Sequence, residues 1–410
     1  MRIAGITLAV LLALALLTAP AAAGDWPGAK KDAAHTSHAD EALNPPLKLD
    51  WSKQVNGNIA ASPVIVEGVL YYTNDTGYTL IAANLTDGEI LFKRGLSGSL
   101  ESTPAVTDDA IIIGAYDGSI YSLRKYDGST IWKASLGESM FSSPLVDYSH
   151  IYIGTDRGSF YAINQATGAV SWKLPDNATQ GTPAGDDGKV FIGMLDGNVY
   201  ALDPETGRVI WSFDTNDSIH SSPMVYDDMV YIASRNGTLY ALDEQSGTSR
   251  WTVDLGYKTD ATPSLDPATG TVFIGTFGGY VWALNATSGD TLWISQFLGP
   301  IYATAAVSGD TVYGNTEEGK LFALDVADGT LRWTYDMGSE AWASPAVAEG
   351  RLVTGTIDGQ LLVFKESAEG PTAAPSPTAK PVSPTPAPAP GAIVCLLALA
   401  AGVIMCLRRR

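Results

Sequence analysis

Residues 181–211 read GTPAGDDGKVFIGMLDGNVYALDPETGRVIW, and this stretch holds in one unit what most of the chain repeats. A Thr182-Pro183 pair leads into the apolar run Val190-Phe191-Ile192-Gly193. Asp196-Gly197 marks a turn, Tyr200-Ala201-Leu202-Asp203 follows, and Thr206-Gly207 precedes Trp211. Short runs of β-branched and aromatic residues separated by Gly-containing pairs are the pattern of hairpin-linked strands.

The same sentence is spelled eight times at intervals of 39 to 42 residues. Its small-residue-Pro marks are Pro63, Pro104, Pro144, Pro183, Pro223, Pro263 and Pro345, with Ala305 in place of Pro in the seventh copy. Its Gly-x-x-x-aromatic marks end at Phe92, Trp132, Trp172, Trp211, Trp251, Trp293 and Trp333. A period near 40 with strand chemistry in each unit means a propeller or related array, because one four-stranded sheet cannot bury both faces alone. The expected fold is therefore all-β: an eight-bladed β-propeller of four-stranded antiparallel blades over about residues 47–366. A Gly recurs in the turn after the second run, at Gly77, Gly118, Gly158, Gly197, Gly237, Gly279, Gly319 and Gly359. There it is expected to supply the positive φ of a tight hairpin.

The eighth copy stops after Leu361-Leu362-Val363-Phe364 and lacks a Trp-bearing strand. That strand sits at the other end, as Leu49-Asp50-Trp51-Ser52, in phase with the rest. The N-terminal strand should complete the last blade and leave no free sheet edge.

Ala201-Leu202-Asp203 through Thr206-Gly207 to Trp211 resembles the tryptophan-docking repeat of PQQ-type propellers, the family of the quinoprotein alcohol dehydrogenases and the barrel-assembly lipoprotein BamB. The lead-in from Trp26-Pro27 to Thr36, within residues 24–46, is similar to the segment that precedes many such propellers. The repeat is a scaffold's grammar and specifies fold rather than chemistry. The resemblance implies that Trp51, Trp132, Trp172, Trp211, Trp251, Trp293 and Trp333 are docking residues between blades. It also implies what a dehydrogenase would need: an Asp base, a calcium held by Glu and Asn, and often a disulfide of adjacent cysteines. Glu101, Gln180 and Asp260 are the nearest analogues, with Gln in place of Asn.

The flanks place the propeller in the cell. Residues 1–23, with Arg2, an apolar run and Ala21-Ala22-Ala23, read as a secretory signal. Residues 371–390 contain eight prolines, an extended spacer of up to about 60 Å within a stalk at 367–390. An apolar stretch from Gly391 to Leu407 and Arg408-Arg409-Arg410 follow, a C-terminal anchor with its basic end kept inside. Pro390-Gly391 before this stretch also resembles the archaeal PGF-type sorting tail, with Ala392 where that motif has Phe; anchor and processed tail both stand as readings. The expected location is the extracellular face of the membrane. Both cysteines, Cys395 and Cys406, lie in the tail, so the propeller has no disulfide of its own. Asn-x-Ser/Thr sequons at Asn74, Asn84, Asn177, Asn216, Asn236 and Asn285 are glycosylation candidates and equally ordinary turn residues.

All 44 acidic residues fall between residues 24 and 370 against 20 Lys and Arg there, a net charge of −24. Such a surface repels nucleic acid and anionic headgroups and suits cationic partners. The four histidines show no metal spacing, and His35 and His38 in the polar lead-in are expected to be solvated.

Positions that bear the fold look alike in every copy, and a functional position need not. Before each Pro stand Ser or Thr, and before those Ala, Ser or Gly. The next position back breaks the pattern: Ala60, Glu101, Phe141, Gln180, His220, Asp260, Tyr302 and Trp342. These side chains, from Glu101 to Trp342, are the candidate ligand-binding ring at one mouth of the channel. The expectation is a monomeric, non-catalytic binding or scaffold module for an envelope protein, a glycan or a small ligand, without nucleic acid and without a cofactor. PQQ with calcium belongs to the alternative, a quinoprotein dehydrogenase; a purely structural envelope protein is the third reading.

Overall fold

A computed structural model describes residues 24–175 and 178–368, all within the unit Met1–Ala379. The signal, the stalk beyond residue 368, the tail and Asn177 lie outside the described residues. Eight four-stranded antiparallel sheets form the blades of a propeller. Blades 1 to 7 span residues 64–95, 105–135, 145–175, 184–214, 224–254, 264–296 and 306–336. Blade 8 takes three strands from residues 346–366 and its outer strand from Leu47–Gln54. Among the described residues there is no helix, so none is long and apolar enough to cross a membrane.

Each blade alternates as the sequence requires. In blade 4 the second strand, Lys189–Gly193, is buried throughout, whereas the outer strand Val209–Asp214 buries Trp211 and exposes most of its neighbours. The apolar residues of facing blades form shared clusters, as Phe191 and Trp211 of blade 4 do with Val230 and Ile232 of blade 5. Inner strands of neighbouring blades touch around an axis.

The phased indoles dock between blades. The indole N–H of Trp172 bonds the Pro204 carbonyl at 2.8 Å, and a Cβ on Gly207 would lie 2.5 Å from the Trp172 ring. Trp51, Trp132, Trp211, Trp251 and Trp293 repeat this on Leu85, Gln165, Glu244, Ala286 and Val326. Trp333 docks on blade 8 by a different contact: its boundary has no such glycine corner, and its ring meets Phe364 edge-on at 5.7 Å. The corner is missing because blade 8 is assembled from the two ends of the array.

The N-terminal strand closes the ring in the register of the repeat. Trp51 faces Val363 beside a bulge at Asp50, as Trp211 faces Ala201 beside a bulge. Asp50 is fixed there by Lys365 at 2.5 Å and Arg351 at 3.3 Å. Seven of the eight turn glycines have positive φ. Gly77 does not; in its hairpin Tyr78 takes the left-handed conformation, and Gly77 is needed because a Cβ would meet the Asn74 side chain at 2.9 Å.

The lead-in is not a solvated leader. Its backbone runs along the inner strands and accepts N–H groups from successive blades: Ile65 to Trp26, Val106 to Pro27, Gly185 to Ala33, Val225 to Ala34, Leu265 to Thr36 and Val307 to Ser37. Inner strands have one edge without a sheet neighbour, and this segment satisfies it. His35 is correspondingly buried, with Nδ1 2.8 Å from the Pro223 carbonyl, and burial lowers its pKa to about 3. His38 is half-buried and 3.8 Å from Asp266, with its pKa held down by burial against the pull of that carboxylate.

Candidate functional site

Followed from its start, each inner segment presents four layers: the variable residue, a small residue, a hydroxyl and the Pro position. The hydroxyls link blade to blade. The N–H of Ser62 donates to Thr103 Oγ1, Thr103 to Ser143, Thr182 to Ser222, Ser222 to Thr262, Thr304 to Ser344, and Ser344 back to Ser62, all at 2.9 to 3.1 Å. Small residues are required at the layer above because the strands approach so closely. The lead-in contacts begin two residues beyond each Pro position, so the variable residues and the lead-in occupy opposite ends of the inner strands.

The structure brings the variable residues together with a second ring that sequence reasoning missed. Asp75, Tyr116, Asp156, Leu195, Arg235, Phe277, Glu317 and Ile357 each donate a backbone N–H to the segment leading into their own blade, at 2.7 to 3.2 Å. They stand two residues before each turn glycine, a position as variable as the first. Side chains of this second ring reach the first ring of the next blade. Arg235 forks onto Asp260 at 2.8 and 2.6 Å, Tyr116 meets Phe141 edge-on at 5.3 Å, and Phe277 meets Tyr302 edge-on at 4.6 Å. Within the first ring His220 Nδ1 lies 2.7 Å from Gln180 Oε1. Ala60 is half-buried, and Trp342 is 47% exposed and out of phase with the docking indoles.

The electrostatics follow these pairings. Burial raises the Glu101 carboxyl, and the Asp75 charge raises it further. Burial lowers the His220 imidazole and Arg235 adds to this, while Asp260 opposes it. The Asp260 hydrogen bond raises the Arg235 guanidinium above its usual value. Burial lifts Glu317, helped by Glu340 and Glu318, and lifts the Tyr302 phenol.

The three analogues of a quinone site are not gathered. Asp260 is committed to Arg235, Gln180 faces His220, and Glu101 faces Asp75. Among the described residues no three His, Cys, Asp or Glu side chains converge in a way that could hold a metal ion. The residues present therefore do not fit a calcium-held quinone, and no step is derived through one.

Of the sequons, Asn74 and Asn236 use Nδ2 as a donor, to Asn56 and Thr215, which withholds the nitrogen that a glycan would need. Asn84 and Asn285 cap turns through Oδ1, and Asn216 is left-handed.

The family model described as outer membrane protein assembly factor BamB matches residues 92–182, 174–300 and 277–372. No match is found among curated protein sequences. BamB from Moraxella catarrhalis superposes with a TM-score of 0.69 at 20% identity, covering 79% of this chain and 99% of that one. Quinohemoprotein alcohol dehydrogenase from Comamonas testosteroni gives 0.74 at 15% identity, over 87% of this chain and 83% of that one. The computationally designed Ika8 protein gives 0.67 at 17% identity, over 76% and 98%. An assembly factor, an oxidoreductase and a designed protein share one backbone, so at these identities the likeness speaks for fold alone.

Proposed function

This chain belongs to the family described as outer membrane protein assembly factor BamB, and from that premise we propose that it is a non-catalytic binding propeller that receives a protein partner at the mouth. The observation that carries this reading is Asp260. Both of its carboxylate oxygens are taken by Arg235, so the side chain that stands nearest to a dehydrogenase's Asp base is held as a structural anion. Two aromatic side chains are left open there: Trp342 and Tyr116 are each at least 40% exposed. Tyrosine and tryptophan anchor interfaces because they bury large area with few rotatable bonds. The net charge of −24 over residues 24–370 favours a basic partner.

Localisation at the extracellular face of the cell membrane is part of the proposal. The last strand, Gln360–Glu366, starts at the Gly359 turn on the mouth side, so the chain leaves blade 8 at the opposite end. A C-terminal anchor would then hold the mouth outward.

The test has two arms on the full-length chain. Calorimetric titration with PQQ and calcium, on wild type and Asp260→Ala, should give no heat; tight calcium-dependent binding lost in the variant would restore the dehydrogenase. A photo-crosslinking residue at position 342 in intact cells should yield one discrete protein adduct, absent when the crosslinker is moved to the exposed outer-strand position 210. Equal labelling at both positions, or none at 342, would overturn the binding mouth.

A further inference from the structure

Glu317, Glu318 and Glu340 are carboxylates that no cation of the fold meets. Among the described residues none of their side chains has a hydrogen bond or an ion pair. Elsewhere on blade 7, Asp310 and Asp325 hold Arg332 at 2.7 and 2.5 Å, and Asp336 lies 3.6 Å from Lys320. Farther round the mouth, Asp260 has Arg235.

Backbone bonds gather the three at the step from blade 7 to blade 8. The Glu317 N–H donates to the Pro300 carbonyl at 2.7 Å, and the Glu317 carbonyl accepts the Ala341 N–H at 3.0 Å. Pro300 stands two residues before Tyr302, and Ala341 lies between Glu340 and Trp342. Glu317 is therefore held between the first-ring aromatics of the two blades. In the second ring Arg235 reaches Asp260, Tyr116 reaches Phe141 and Phe277 reaches Tyr302, each time the first-ring residue of the next blade. By that rule the residue opposite Glu317 is Trp342. Glu318 covers Gly299, where a Cβ would lie 1.5 Å from its carboxylate. The charges feel one another: after burial, Glu340 and then Glu318 raise the Glu317 carboxyl.

A buried amide adds an independent sign. Asn315 is fully buried, and its Nδ2 donates to the Ala341 carbonyl at 2.9 Å. That carbonyl fixes which end of the amide faces it, and Oδ1, on the same carbon, is left without a partner. The fold does not ask for an amide here: the equivalent residue is Thr73 in blade 1, Ala233 in blade 5 and glycine in the other five. An acceptor without a donor, beside carboxylates without a cation, leaves this sector short of donors alone.

The exposed Trp342 ring narrows the class of donor. A guanidinium is flat, lies over an indole face and carries donors at its edge in a fork that fits carboxylates, whereas an ammonium is a compact point charge. We infer that Trp342, Glu317 and Glu340 form the seat of an arginine side chain presented by a basic segment of the protein partner. This rests on the binding mouth proposed above and names the chemistry of its occupant.

The test is biolayer interferometry on the full-length chain in detergent, with acetyl-tetra-arginine amide as the probe. Its tetra-citrulline analogue keeps the shape and loses the charge. The expected result is saturable binding of the arginine peptide, none of the citrulline peptide, and affinity weaker by about tenfold or more in both Glu317→Gln/Glu340→Gln and Trp342→Ala. Glu89→Gln/Glu205→Gln removes the same charge from exposed corners at the other end of the blades and should stay within about twofold of wild type. Equal weakening in the two charge pairs would reduce the attraction to the net charge of −24 and overturn the seat, as would unchanged binding in Trp342→Ala. Acetyl-tetra-lysine amide bound as tightly as the arginine peptide would overturn the choice of guanidinium. A discrete crosslinked protein at position 342, together with no peptide binding by wild type, would leave the binding mouth standing and overturn the arginine seat alone.

Discussion

Seven boundaries between blades are built one way and the eighth another. At the seven, an aromatic ring from one outer strand lies over a glycine in the next blade's corner: Trp51 over Gly88, Phe92 over Gly128, and so on to Trp293 over Gly329. In two of these boundaries a second-strand tyrosine reaches the same carbonyl as the indole, Tyr152 to Pro204 and Tyr231 to Ala286. Between blades 7 and 8 that corner does not exist. The equivalent Tyr313 hydroxyl donates instead to the carbonyl of Leu43 at 2.7 Å, and Ser308 bonds the Glu41 carbonyl and the Leu43 N–H. Nearby, Ser367 donates to Pro46 and Asn44 donates to Glu366. The lead-in therefore replaces a missing hairpin, and ring closure depends on residues outside the repeat.

The largest effect should come from the eighth boundary. Deleting residues 24–44 while keeping the strand Leu47–Gln54 removes the acceptors of six inner-strand N–H groups and of Tyr313. At about 1 kcal/mol or more for each buried group left unpaired, this consumes most of a typical domain stability of about 5–15 kcal/mol. Chemical denaturation should show no cooperative transition; a transition within about 1 kcal/mol of wild type would show that the lead-in is dispensable.

An intermediate effect belongs to the seven alike. Gly207 has φ +68 and its Cβ would lie 2.5 Å from Trp172, whereas Gly188 has φ +70 and open space. Gly188→Ala should cost about 1 kcal/mol from backbone strain alone, and Gly207→Ala about 2–4 kcal/mol once overpacking is added. Equal costs in denaturant midpoints would mean that the ring moves aside freely and the docking is loose.

The eight blades, their phase and the origin of the last strand were legible because packing imposes the same residue types at every copy, so Trp51 betrays its blade by spacing alone. The lead-in was not legible as an inner lining. Its bonds use main-chain carbonyls, which every residue owns, while its side chains His35 and His38 read as solvated. Half of the mouth was legible as a variable position among constant ones. The other half stands two residues before each turn glycine and would have yielded to the same comparison. That Arg235 meets Asp260 rather than His220 or solvent depends on neighbouring blades, and no single copy contains that information.

The smallest expected effect separates the seven boundaries from one another. Phe92 covers Gly128 as closely as an indole covers its glycine, at 2.7 Å, but has no N–H to give. The carbonyl in the equivalent place, that of Lys125, receives only a 3.4 Å bond from Tyr71, whereas Glu244 receives 2.8 Å from Trp211. Trp211→Phe should therefore cost about 1–3 kcal/mol, the lost bond plus the volume left behind. Phe92→Trp should instead gain up to about 1 kcal/mol, because a waiting acceptor is supplied with a donor. Urea midpoints of the two variants must move in opposite directions for the boundaries to be equivalent. If both fall, the first boundary has closed around the smaller ring, and its spacing rather than its chemistry has been fitted to phenylalanine.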